Sequence, residues 1–240
     1  KGEGLGNKFL SNLAEVDALI HVVRCYENKE VTHVSNDISP ISDIETIETE
    51  LLLSDFNKIE NIIENLKKKQ KGKKIEPEYL SLLEKARNQL DAGSFLNTLD
   101  VKDEQMHMLS SFNFLTLKPI IYVCNVDENS VKEGNNLTQL VNKYAIKNKT
   151  ISIIISAKIE SEIACVGNLD EKKELLEVIG LEETSLTTLI RKGYDLLNLI
   201  TFFTSGPKES RAWSIKSGTF APDAGAKIHT DFKKGFIRAE

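Results

Sequence analysis

Three nearly continuous apolar runs interrupt a chain whose hydrophobic and polar positions otherwise alternate at helical spacing. Val16 to Val23, Pro119 to Cys124 and Ile151 to Ile155 have the length and β-branched content of strands buried on both faces of a parallel sheet. After the first run, Tyr26 to Pro40 is polar and reads as a loop that contains His33. Ser42-Asp43-Ile44-Glu45 then reads as a capping box, with Ser42 as N-cap. Ile44, Ile47, Leu51, Phe56, Ile59, Ile63 and Leu66 follow on one helical face, so the pattern predicts a helix to about Lys69. Gly72 breaks it, and Pro77 opens a second helix with Tyr79, Leu82, Leu83, Ala86 and Leu90 as its stripe. Two helices joined by a short polar link predict an antiparallel coiled-coil hairpin.

Residues 103–117 read as a core helix that returns the chain to the sheet. Leu137–Ala145, Leu169–Val178 and Ser185–Leu197 read as three further helices. Strands alternating with helices argue for an α/β sheet. From Leu199 the pattern changes to short aromatic or β-branched runs, Ile200–Thr204, Ala212–Ile215 and Phe236–Ala239, divided by Gly206-Pro207, Gly218 and Pro222. These predict a small β-rich module from about residue 198.

Two of the apolar runs end in polar signatures. Asn125-Val126-Asp127-Glu128 follows Pro119–Cys124, and Ser156-Ala157-Lys158 follows Ile151–Ile155. Ligands of α/β sheets lie beyond the carboxyl ends of the strands, and paired signatures of this kind match the base pocket of a P-loop NTPase. The usual guanine reader is Asn-Lys-x-Asp, whose carboxylate accepts two hydrogen bonds from the base. Here Val126 replaces the lysine and Glu128 the aspartate, which puts guanine selectivity in doubt and makes the expected nucleotide ATP over GTP, or either with a weak preference. Asn125, the backbone at Val126, Glu128, Ser156, Ala157 and Lys158 are the candidate nucleotide-binding residues, with the Lys158 stem against the base.

Composition narrows the class. The 240 residues are 40% hydrophobic and 28% charged, as in a globular protein, and the net charge of −5 confines nucleic-acid contact to local basic patches. One such patch is the link between the hairpin helices, where Lys67, Lys68, Lys69, Lys71, Lys73 and Lys74 are six lysines in eight positions. Two readings stand open for it: a solvated tip, or an RNA-facing arm that neutralises phosphates without reading sequence. The C-terminal module adds Lys208, Arg211, Lys216, Lys227, Lys233, Lys234 and Arg238. Cys25, Cys124 and Cys165 are far apart and odd in number, which predicts buried free thiols and a cytoplasmic setting. No run has the length of a membrane span, and no histidine, cysteine or carboxylate set has metal spacing around His107. The chain does not begin with Met and both ends read as cut, as in a slice of a longer protein.

A string of segments, taken in order, resembles the YchF-type, Obg-like ATPases of the translation-factor class of P-loop proteins. They are Lys1-Gly-Glu-Gly-Leu-Gly-Asn-Lys8, Asp17-Ala18 with His21-Val-Val-Arg24, Leu115-Thr-Leu-Lys-Pro119, Asn125-Val-Asp-Glu128, Ser156-Ala-Lys-Ile-Glu160, Arg211-Ala-Trp213, Ile228-His-Thr-Asp-Phe232 and Gly235 to Glu240. The resemblance implies a P-loop GTPase-like sheet over residues 1–43 and 118–197, a helical coiled-coil insert over 44–117, and a partial TGS-like β-grasp domain over 198–240. It implies a purine nucleoside triphosphatase that prefers ATP to GTP and acts as a ribosome-associated switch, with the ribosome or ribosomal RNA as partner. It also implies that His33 is the candidate for activating the attacking water. The P-loop G-x-x-x-x-G-K-[ST] occurs nowhere in the chain, and the magnesium-binding aspartate of the D-x-x-G switch belongs just before Lys1. Mg2+ is therefore expected to be held by residues outside this chain, and the chain alone is expected to be inactive. Two other readings remain: an RNA- or ribosome-binding adaptor regulated by nucleotide, and a helical scaffold with a decayed nucleotide site.

Overall fold

The computed structural model describes residues 6–28, 38–69 and 77–238. Two compact units divide the chain at Ser185 and Leu186.

The first unit opens with helix α1 (Asn7–Glu15), whose Leu10, Leu13 and Ala14 pack on the sheet core. Strand β1 (Leu19–Arg24) follows. It is shorter than the apolar run predicts and is buried on one face only: Ile20 is 54% and Val22 61% exposed. The sheet runs β1-β2-β3 and leaves β1 at an edge among the described residues, and the face that carries Ile20 and Val22 is left largely uncovered among them. Helix α2 (Pro40–Lys69) has 30 residues and begins two positions before the predicted cap. Pro40 suits a first helical turn because its missing N–H has no acceptor to lose there. Ser42 is thus inside the helix and caps nothing. Helix α3 (Pro77–Asp91) buries Leu82, Leu83, Ala86 and Leu90, as its stripe predicts.

The predicted helix over 103–117 is two pieces. Helix α4 (Asp103–Ser110) ends in a turn that places Asn113 at φ 51°, and Leu115–Leu117 is a single 3-10 turn. Strand β2 (Ile120–Asn125), helix α5 (Asn136–Lys147) and strand β3 (Ile151–Ile155) complete the parallel sheet. Helix α6 (Ala157–Cys165) and helix α7 (Leu169–Ile179) follow. Cys25 and Cys124 are buried, but Cys165 is exposed at the end of α6, where the sequence predicts a buried thiol.

The unit has two apolar cores. One joins the sheet to α1, α5, α6 and the start of α2 through residues such as Val23, Ile44, Leu51, Leu115, Tyr122 and Val141. The other lies in the helical arm, where Ile59, Ile63, Leu83, Leu96, Leu109 and Phe114 meet. Helix α2 crosses from the first core to the second between Leu51 and Ile59, beside Asp55.

The second unit includes most of helix α8 (Ser185–Leu196) and an antiparallel pair, β4 (Leu199–Ser205) with β5 (Ser210–Lys216). On one face Trp213 donates to Thr204 Oγ1 at 2.9 Å and stacks under Arg211 at 4.2 Å. Helices α9 (Ala221–Ile228) and α10 (Thr230–Lys234) follow. The strand predicted at Phe236–Ala239 is not formed over its described part, residues 236–238. Its residue types suit a strand, but a strand needs a partner edge, and Phe236–Arg238 pair with none among the described residues.

Candidate functional site

The carboxyl ends of the three parallel strands stand level, with Arg24 beside Asn125 and Asn125 beside Ile155. Beyond the strand ends the backbone remains zipped. Cys25 N donates to Asn125 O at 2.8 Å, and Val126 N donates to Ile155 O at 2.9 Å. The loops after β2 and β3 therefore leave the sheet side by side, at the edge where such sheets bind ligands.

Asn125 joins the two loops. Its Oδ1 accepts a hydrogen bond from Ala157 N at 3.0 Å. With the carbonyl committed, the side-chain NH2 is left to donate outward. Val126 turns inward and is 3% exposed, so only its backbone can serve a ligand. Asp127 folds back on its own chain: Oδ1 accepts from Asn129 N and Ser130 N, both at 3.0 Å, and so caps the 3-10 turn Glu128–Ser130. Glu128 extends from that turn and is ion-paired with Lys158 across the loop gap. The pair holds the Glu128 carboxyl below its usual range, and the same contact raises the Lys158 ammonium. Both side chains remain largely in solvent, so the contact orients them more than it stabilises the fold.

Ser156 is buried and N-caps α6, accepting from Ile159 N at 3.5 Å. By sequence Ser156-Ala157-Lys158 reads as a loop, yet Ala157 and Lys158 form the first turn of a helix. The exposed backbone at Ala157 thus belongs to a helix N-terminus, which adds a favourable dipole for an electron-rich group. The six residues singled out in the two signatures are together at one edge of the sheet.

Two supports of this edge do not follow from the signatures. Asn135 caps α5 by accepting from Thr138 N at 3.0 Å, and its Nδ2 donates to Cys25 O at 2.7 Å, tying the end of β1 to the segment after Glu128. Gly134, with φ 74°, makes that approach possible; a Cβ there would lie 2.4 Å from Thr138 Oγ1. The signal in the chain is the Asn135-x-x-Thr138 spacing, which resembles a capping box. The Glu128 turn itself borders a cleft of about 480 Å³, lined by Glu128, Asn129, Val131, Lys132, Ile159 and Leu175, among others.

His33, Lys71, Lys73 and Lys74 lie outside the described residues. Lys67 and Lys68 stand near the end of α2, where Lys67 pairs with Glu84 at 3.5 Å and Lys68 with Glu64 at 2.8 Å. Lys69 is the last residue of α2. Among the described residues no group of three histidines, cysteines or carboxylates could hold a metal ion. Mg2+ at a nucleotide is held by one or two protein ligands together with phosphates and water, so this absence concerns an all-protein metal site only.

The family model YchF-GTPase_C, described as a protein of unknown function (DUF933), matches residues 199–240. The ribosome-binding ATPase YchF of Haemophilus influenzae is 47% identical over 241 residues, covering 100% of this chain and 66% of the relative. That of Bacillus subtilis is 43% identical over 244 residues, with the same coverage. The structure of the Schizosaccharomyces pombe YchF GTPase matches 99% of this chain and 65% of its own with a TM-score of 0.87 at 31% identity. This chain spans about two thirds of the length of these proteins, and with such identity along its whole length it belongs to the YchF family.

Proposed function

We propose that the whole protein is a ribosome-associated purine nucleoside triphosphatase that prefers ATP to GTP, and that this chain supplies its base pocket. The observation that carries the reading is the commitment of both loop carboxylates. Asp127 is spent on two backbone amides, and Glu128 is paired with Lys158. Guanine is read through its N1–H and 2-amino groups, which require a free, correctly placed carboxylate. A bidentate contact of that kind contributes on the order of 1–3 kcal/mol to discrimination between bases. Adenine makes no such demand. The Asn125 NH2 can donate to a purine N7, and, with the Val126 N–H held by Ile155 O, the Val126 carbonyl can accept from the adenine 6-amino group.

Under this reading the activity named in its relatives, ribosome-binding ATPase, extends to this protein. Nucleotide state sets affinity for the ribosome, and His33 orients the attacking water, a role that rests on the resemblance alone. The triphosphate and Mg2+ are held by residues outside this chain, as the missing P-loop motif requires.

Titration of the full-length protein with fluorescent ATP and GTP tests the proposal. ATP binds more tightly, and Asn125→Ala weakens both nucleotides. GTP bound about a hundredfold more tightly, on the order of 3 kcal/mol, overturns the base assignment. Turnover unchanged in His33→Ala removes that residue from the mechanism.

A further inference from the structure

The arm and the sheet have separate apolar cores, and the chain passes between them at two places. Helix α2 crosses at Asp55, and the returning chain crosses at Phe114–Thr116, with Phe114 in the arm core and Leu115 in the sheet core. Asp55 locks the two crossings together. It is 1% exposed; Oδ1 accepts from Leu115 N at 3.0 Å, and Oδ2 accepts from Thr116 N and Thr116 Oγ1, both at 2.7 Å. One turn along α2, Lys58 Nζ donates to Asn113 O at 3.2 Å and lies over the Phe114 ring. Immediately beyond, Lys118 leaves the same segment in the other direction. Its ammonium donates to Ala14 O at 2.8 Å and to Val16 O, which are carbonyls at the C-terminal end of α1. A cation there satisfies acceptors that the helix itself cannot, and meets the negative end of its dipole.

Helix α1 is thus fixed to residues 113–118 on the sheet side, and residues 113–118 to the arm across the boundary between the two cores, by charge-assisted hydrogen bonds. We propose that this segment couples α1 to the helical arm as one mechanical body, with Lys118 and Asp55 as positioning residues, so that nucleotide state is transmitted to the arm. The transmission rests on the nucleotide reading above, in which the switch segment precedes α1. The mechanical coupling does not depend on it. By linkage, a partner that grips the arm changes nucleotide affinity by the same factor.

Hydrogen–deuterium exchange on the full-length protein tests both parts, with ADP and with a non-hydrolysable ATP analogue as probes. Residues 50–66 exchange at different rates with the two nucleotides in the unsubstituted protein. Lys118→Met abolishes that difference, and Lys118→Arg, which keeps the donors, retains it. Fluorescent nucleotide binding by Lys118→Met stays within about twofold, since Lys118 precedes the start of β2 whereas the base loops follow the opposite, carboxyl ends of the strands, and its bonds go to α1. A nucleotide-dependent difference that survives in Lys118→Met overturns the proposal, as does its absence from the unsubstituted protein when nucleotide binds. Where no nucleotide binds, the base-pocket reading falls and the coupling is read without ligand. Lys118→Met then raises exchange in residues 9–16 and 50–66 together by about fivefold or more. A rise confined to 9–16 overturns it.

Discussion

Single side chains in this molecule show how burial sets chemistry. His21 lies on β1 near the Tyr122 ring, at 5.9 Å, and its Nδ1 is buried with no hydrogen-bond partner among the described residues. Desolvation lowers its pKa below the ordinary value of 6.5, and the Asp43 carboxylate on α2 only partly opposes this. Glu48 of α2 also faces this part of the sheet. It accepts from Tyr122 Oη and, at 2.8 Å, from Tyr144 Oη, and burial together with these bonds pushes both phenols up. The folded protein therefore keeps His21 neutral where the unfolded chain would protonate it. Above 6.5 neither state is protonated and the full stability is present. As pH falls through 6.5 toward the lower folded value, the unfolded chain takes up more protons and stability declines, with a slope of at most about 1.4 kcal/mol per pH unit for this group. Replacing His21 by Gln removes that contribution. Urea denaturation between about pH 7 and pH 5 should show a shallower loss of stability in His21→Gln than in the parent. Equal slopes would mean that His21 is protonated as readily in the fold as outside it.

Secondary-structure elements place the site, and Gly134 marks where one of them depends on a single backbone angle. Alanine there would adopt φ 74° with its Cβ 2.4 Å from Thr138 Oγ1 and 2.8 Å from Ile154 Cδ1. Thr138 Oγ1 itself accepts from Asn135 N and donates to Asn135 O, so the collision strikes the cap of α5. Left-handed strain and overpacking together make Gly134→Ala cost about 2–4 kcal/mol. Gly93 has nearly the same angle, φ 71°, but no atom lies within 4 Å of where a Cβ would stand. Gly93→Ala should cost only about 1–2 kcal/mol, and similar midpoints for the two variants would refute the steric argument. These cases also show what a sequence can reveal. The ends of β2 and β3 are legible because apolar runs stop abruptly at Asn125 and Ser156, although only β2 is central and buried along its length while β3 buries Ile153 alone. The one-sided burial of β1 is not legible, because an apolar run cannot report whether a neighbour covers each face. Helix α6 is hidden by its brevity and by a cap with Ile159, not Glu, at its third position. Asp55 is hidden because its partners lie 60 and 61 residues away.

Across the whole molecule, charge is divided unevenly along the chain. The full chain carries 31 Lys and Arg against 36 Asp and Glu, yet residues 186–240 carry nine basic side chains against five acidic ones. The acidic excess therefore falls within residues 1–185. Lys208, Arg211, Lys216 and Lys227 are exposed in the second unit, and the Arg211 guanidinium lies over the Trp213 ring at 4.2 Å, a position that steadies it for contact with a phosphate. The lysines near the end of α2 differ, since Lys67 and Lys68 already face Glu84 and Glu64. A phosphate must displace those carboxylates before it gains a cation. If the partner is RNA on the ribosome, the second unit should thus supply more of the electrostatic affinity than the described part of the arm tip. Co-sedimentation with ribosomes over a salt series measures this directly. Neutralising three phosphates should give a slope of about −2 in log affinity against log salt. Reversing Lys208, Lys216 and Lys227 to Glu should flatten that slope, while Lys67→Glu with Lys68→Glu should change it by less than about one. A slope lost with the arm pair and kept with the triple variant would transfer the RNA contact to the helical arm.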